Sequence, residues 1–123
     1  MARTDELNKV LRSLRSGAPE IEASALISED GLMIASALPQ HLDEMRIAGM
    51  SSTLLSLGTR ATVELQRGAL EQVLIRGRHG YVVMVGATQG TMLLALATHD
   101  AKLGLVFLEM GKAVQDITRI LQD

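Results

Sequence analysis

The residues that could do chemistry are few, and their spacing points away from catalysis. His99-Asp100 is the kind of pair that holds a metal in phosphohydrolases, where the ion activates water. Such a site needs further His or carboxylate ligands, and His41 and His79 stand in unrelated turns. Asp100 fits better as the N-cap of a helix that follows it. Gly111-Lys112 ends like a phosphate-binding loop, but no glycine stands five residues before Gly111, and alanine follows the lysine. The pair also falls inside a helix, where backbone amides cannot wrap a phosphate. Gly86-Ala87-Thr88-Gln89-Gly90 joins two antiparallel strands, so no helix dipole points at a ligand there. Ser51-Ser52 have no His and acid in a hydrolase context, and Glu29-Asp30 read as a solvated turn. The absence of cysteine removes disulfides, thiolate zinc sites and thiol nucleophiles together. No catalytic, metal or cofactor-binding residue is assigned, and no cofactor is expected.

The remaining charged candidates are arginines. Arg60, Arg67, Arg76 and Arg78 fall where the longest helix ends and the next hairpin begins, and Arg46 stands near that helix's start. Gathered, they would form a partner-contact ring or an anion patch; apart, they are a solvated rim. The net charge of −2 over 123 residues argues against nucleic-acid binding, which needs a basic excess to displace counterions. Aromatics are only 2% against seven methionines, so base or sugar stacking is not expected and aliphatic side chains must fill the core. The N-terminus shows no apolar run of signal-peptide type, and no stretch approaches the ~20 residues of a membrane helix. A cytoplasmic protein without membrane insertion, folded as one domain over 1–123, is expected.

Periodicity supplies the elements that would position these residues. Residues 4–16 read as an amphipathic helix capped by Thr4, with Leu7, Val10, Leu11 and Leu14 on one face and Gly17 and Pro19 after it. Residues 21–28 alternate as a half-buried strand, Glu29-Asp30-Gly31 turns, and Leu32–Ser36 returns as a hairpin. The longest helix runs from Asp43 to Arg67. Ile47, Met50, Leu54, Leu57, Ala61 and Leu65 form a broad aliphatic row, beside a stripe of mostly small residues at Ala48, Ser51, Ser52, Leu55, Thr59 and Thr62. That arc exceeds the ~100° a helix needs to cover one sheet face, so a second surface must pack on it. The aliphatic row is expected on the chain's own sheet and the small stripe on a partner, because small side chains let helix axes approach closely.

Three further strands are read at Ala69–Arg76, Tyr81–Val85 and Thr91–Thr98, joined by glycine-bearing turns. The last two are apolar on both alternations, which places helices above and below the sheet. The first, with Glu71, Gln72 and Arg76, reads as an edge, open to pairing with another strand. A final helix from Asp100 to Leu121 buries Leu103, Val106, Met110, Val114, Ile117 and Leu121, with Gly104 and Gly111 expected to permit close packing.

This order resembles the Roadblock/dynein light chain family over nearly the whole chain. The likeness is carried by Ala25-Leu26-Ile27-Ser28-Glu29-Asp30-Gly31-Leu32, by the long helix, by Glu71-Gln72-Val73-Leu74-Ile75-Arg76-Gly77, and by Gly80-Tyr81-Val82-Val83-Met84-Val85-Gly86. The resemblance implies an α/β sandwich of order α-β-β-α-β-β-β-α: a five-stranded antiparallel sheet between one long helix and the two terminal helices. It implies dimerisation through the long helix and the neighbouring edge strand, which places Ala48, Ser51, Ser52, Leu55, Thr59, Thr62, Glu71, Val73 and Ile75 in a dimer interface. Partner-contact candidates are Arg46, Arg60, Arg67, Arg76 and Arg78. Family members regulate or scaffold small Ras-like GTPases, and similar bacterial Mgl-type regulators stimulate a partner GTPase. Three functions stay open: a non-catalytic homodimeric GTPase regulator, a scaffold subunit without effect on nucleotide turnover, and a small-ligand sensor.

Overall fold

The computed structural model describes residues 2–88 and 90–122. Eight elements follow one another: α1 (Ala2–Gly17), β1 (Ile21–Ser28), β2 (Met33–Ala37), α2 (Glu44–Glu64), β3 (Gln72–Gly77), β4 (Gly80–Gly86), β5 (Thr91–Ala97) and α3 (Leu103–Gln122). The strands form one antiparallel sheet in the order β2-β1-β5-β4-β3. This is the sandwich that the family resemblance implies.

Two cores fix the layers. On one sheet face Leu7, Leu11 and Leu14 of α1 and Val106, Met110 and Ile117 of α3 pack over Leu26, Val83, Leu93 and Ala95. On the other, Ile47 and Ala48 of α2 pack over Ala25, Ile27, Met84, Met92 and Leu94. β4 and β5 are therefore apolar on both alternations because both their faces are roofed. β1 is also central, so its sequence reading as half-buried is corrected. Ser24 and Leu26 are buried along with Ala25 and Ile27, and Ser24 satisfies its hydroxyl by donating to the Leu11 carbonyl at 3.3 Å.

Turn chemistry sets the hairpins. At the β1–β2 turn Gly31 takes φ +90°, and its N–H donates to the Ser28 carbonyl at 3.0 Å. At the β3–β4 turn a Cβ on Gly80 would lie 2.5 Å from the Ala97 carbonyl oxygen, so only glycine lets β4 start this close to the end of β5.

Helix starts differ from expectation in two places. Thr4 lies inside α1 rather than capping it. Asp100 precedes α3 by a turn, and the Lys102 carbonyl accepts the first helical bonds, from Leu105 N at 3.0 Å and Val106 N at 3.1 Å. Asp100 instead accepts from the Thr98 hydroxyl at 2.7 Å, and chiefly this bond holds its carboxyl below the usual aspartate value. Gly104 and Gly111 are exposed, and a Cβ on either would meet nothing within 4 Å, so they serve no close packing in this chain. Among the described residues no helix is long and apolar enough to cross a membrane.

Candidate protein-interaction surface

The site is built on α2 and β3. Asp43 caps α2, its carboxylate accepting from Met45 N at 3.0 Å and Arg46 N at 3.4 Å. The helix then runs obliquely across the sheet. Its N-terminal half lies over β1 and β2, and Gly58 near its far end approaches Leu70 and Val73 at the start of β3. One helix cannot roof five twisted strands, so part of this face stays open beside β4 and β3.

The two stripes of α2 divide differently from expectation: Ile47 and Leu54 of the aliphatic row cover the sheet as expected, but so does most of the small stripe. Ala48 and Ser51, at 1% and 2% exposure, are pressed against the chain's own sheet. Leu55 packs into the same core, and the Ser52 hydroxyl donates to the Glu29 carbonyl at 2.6 Å. Thr62 is half-buried and donates to the Thr59 carbonyl at 3.2 Å, while Thr59 itself is exposed. Small side chains do bring α2 close to a neighbour, but that neighbour is the β1–β2 turn. A Cβ on Gly31 would sit 3.6 Å from Ser52 Cβ and 3.8 Å from the Ala48 carbonyl. Three of the residues expected to cover the sheet are left out of it: Met50 and Leu57 are each 59% exposed and Leu65 68%. Ala48, Ser51, Ser52 and Leu55 thus leave the list of interface residues, because their own fold already uses them.

Beside that exposed row lies an apolar slot of about 160 Å³. Ile47, Met50, Ser51 and Leu54 of α2 form one wall, and Val82 and Leu96 of the sheet form the other. Further along the same face β3 has no strand on its outer side. Val73 is half-buried against the α2-side core, Ile75 is 38% exposed on the same face, and Glu71 is exposed before it. Leu74, on the α3 side, is 44% exposed. The opposite edge, β2, is protected: α1 and α2 pack along it and its pairing with β1 is interrupted by a bulge between Leu26 and Ile27.

The arginines do not gather. Arg60 pairs with Glu64 at 3.2 Å on the exposed face of α2, Arg46 is at the other end of that helix, and Arg67 follows its C-terminus. Arg76 and Arg78 lie at the far end of β3, ~20 Å along the strand direction from its start. There the Arg76 guanidinium lies 5.8 Å from the Tyr81 ring centroid, and Arg78 is exposed in the turn. Among the described residues no three His, Asp or Glu side chains come together as metal ligands.

An exposed aliphatic helix row, a bare strand edge beside it and no reactive constellation among the described residues define the class: a module whose working surface suits protein contact. The chain belongs to the Roadblock/LC7 domain family, whose pattern matches residues 7–97. Members of this family are generally regulatory and non-catalytic. The chain is similar to the uncharacterized protein MJ1340 of Methanocaldococcus jannaschii, 36% identical over 97 residues that span 79% of this chain and 84% of that one. Its fold matches Myxococcus xanthus MglB with a TM-score of 0.88 at 20% identity, over 97% of this chain and 90% of that one. It also matches an MglB structure described as having a tetrameric arrangement, with a TM-score of 0.86 at 16% identity, over 98% and 90% of the two chains.

Proposed function

We propose that this chain is a non-catalytic homodimeric regulator or adaptor of a small Ras-like GTPase, working in the cytoplasm. The observation that carries the self-association is the exposed row of Met50, Leu57 and Leu65 on the same sheet face as the bare β3 edge. A monomer would leave that surface in water. A twofold axis lets both features be used at once, β3 adding to the partner's β3 and α2 lying beside the partner's α2. Antiparallel pairing with Leu74 opposite the partner's Leu74 sets Val73 opposite the partner's Ile75 on the helix side. It also brings Glu71, at the start of β3, toward the cationic end of the partner strand, which carries Arg76 and Arg78. Thr59, Thr62, Glu71, Val73 and Ile75 remain in the proposed interface, joined by Met50, Leu54, Leu57 and Leu65.

The GTPase part rests on family membership and on the fold shared with MglB. Arg46, Arg60, Arg67, Arg76 and Arg78 are the candidate contacts, spread widely enough to touch different parts of a partner rather than to hold one phosphate. A ligand-sensor role is less well supported: the apolar slot of about 160 Å³ is below the ~300–1,000 Å³ of small-molecule sites, and the larger hollows, of about 500 and 400 Å³, are open surface clefts lined partly by charged side chains. The test is capture of small Ras-like GTPases loaded with GTP or GDP analogues, followed by hydrolysis rates with and without this chain. Nucleotide-dependent capture with a changed rate supports a regulator. Capture without a rate change makes the chain a scaffold subunit, and absence of capture in both states contradicts the proposal.

A further inference from the structure

We infer that the sheet face opposite α2 carries a separate docking site: a trough between the α3 helices of two copies that takes one amphipathic helix of a partner protein, apolar along one stripe and acidic at both ends of it. The inference rests on the homodimer reading above, since the second copy supplies the other wall.

The first observation is an asymmetry in α3. Its charged side chains among the described residues are Glu109, Lys112, Asp116 and Arg119, spaced to fall on a single stripe. That stripe faces α1: the Glu109 carboxylate lies over Gly17, and Asp116 and Arg119 line a cleft with Glu6 and Lys9. The opposite flank carries no charge. Phe107, Val114 and Thr118 are half-buried along it, and Gly104, Leu108 and Gly111 are exposed, Leu108 at 55%. A helix flank that faces only water is ordinarily polar or charged. Gly111 also costs the helix interior stability relative to alanine, and the space it leaves open lies outside this chain.

The second observation is the strand beside that flank. α3 packs over β4 and β5, through Val106 and Met110 on Val83, Leu93 and Ala95. The same face of β3 is left uncovered. Gln72, Leu74 and Arg76 stand there opposite Val85, Val83 and Tyr81; Gln72 and Arg76 are exposed and Leu74 is 44% exposed.

Width and charge identify the occupant. With β3 paired to the partner's β3, the two α3 axes lie four strand spacings apart, ~19 Å. Helices pack with axes ~8–10 Å apart, so the gap holds one further helix. Its floor is Leu74 beside the partner's Leu74. An Arg76 stands at each end, the two ~14 Å apart along the strands, and the Tyr81 ring 5.8 Å away keeps the guanidinium over this face. An apolar centre bounded by two cations selects a helix with an aliphatic stripe and carboxylates roughly nine residues apart. The twofold axis runs through the trough, so one helix serves two chains.

Fluorescence anisotropy tests this with two labelled helical peptides bearing the same leucine stripe, one ended by glutamates and the other by lysines. The glutamate peptide should saturate the wild-type protein at one per two chains, and the lysine peptide should bind at least ~10-fold more weakly. Gly111→Gln narrows the trough from both walls and should weaken the glutamate peptide ~10-fold or more, with the light-scattering mass unchanged. Arg76→Gln should remove most of the preference for glutamate over lysine. Lys112→Gln, on the α1 flank, should alter neither peptide. Equal binding of the two peptides, or glutamate-peptide binding indifferent to Gly111→Gln, overturns the site. Absence of binding to a protein that is dimeric by light scattering also overturns it and leaves the homodimer reading standing. A wild-type chain of monomeric mass overturns both.

Discussion

Replacing Leu57 by arginine separates the proposed interface from the core. Leu57 is 59% exposed, so most of its apolar surface is still available for burial by a partner. Full burial of a leucine contributes ~1.5–3 kcal/mol, and 59% of that is ~1–2 kcal/mol per copy. An isologous contact counts it twice, giving ~2–4 kcal/mol, or ~30- to 1,000-fold in dimer affinity. The charge adds a desolvation cost of several kcal/mol wherever it stays unpaired. The monomer itself loses little, since substitutions at exposed positions stay within ~0.5 kcal/mol. Leu57→Arg should therefore give a folded monomer by light scattering, with an unchanged urea midpoint once dimer stabilisation is subtracted. Leu55→Arg is the control: Leu55 packs into the α2-side core, so the same charge there should unfold the chain. A Leu57→Arg variant that unfolds while Leu55→Arg stays folded and monomeric would refute this assignment of the faces.

Four further outcomes are expected. Ala48→Leu should destabilise the fold by ~1–3 kcal/mol in urea denaturation, because Ala48 is 1% exposed beneath the β1–β2 turn. Asp100 has a depressed carboxyl pKa, so its contribution to stability is present above the ordinary aspartate value of 3.8 and is lost as pH falls through the lower folded value. Thr98→Val should raise that titration toward 3.8, read by NMR of the Asp100 carboxyl. Titration calorimetry of the isolated chain with GTP or ATP should show no binding heat, since the glycine spacing of a phosphate loop is missing around Gly111-Lys112. Arg78→Ala should lower any stimulated GTP hydrolysis by a small factor through weaker binding. Loss of most stimulation with binding intact would make Arg78 a true finger residue.

Much of the fold was legible because local rules and tertiary packing agree. Leu7, Leu11 and Leu14 fall on one helical face and are buried; Gly31 and Gly80 mark turns that need them; β4 and β5 announce roofing on both sides. The candidate surface was legible as a surplus, since α2 carries more apolar arc than one sheet face uses. Which stripe faces which neighbour was not legible. Ala48 and Ser52 are small where the β1–β2 turn passes close to them, a contact that no spacing within the helix encodes. The same blindness to tertiary neighbours explains β1, whose second face carries Ser24 and Leu26 and is covered by α1, the preceding helix, and by α3 from the far end of the chain. At Asp100 a side-chain bond to Thr98 competed with capping and won, as Asp at a turn readily does. The arginines stay apart because a strand separates Arg67 from Arg76 and Arg78, a spacing already implied by reading Ala69–Arg76 as extended.

The most direct measurement is the solution mass of the wild-type chain, by multi-angle light scattering at about 10–100 µM, above the micromolar range of ordinary weak association. Self-association through α2 and β3 requires a mass of at least twice 13.2 kDa, with an even number of copies. A single species at 13.2 kDa across that range would contradict it.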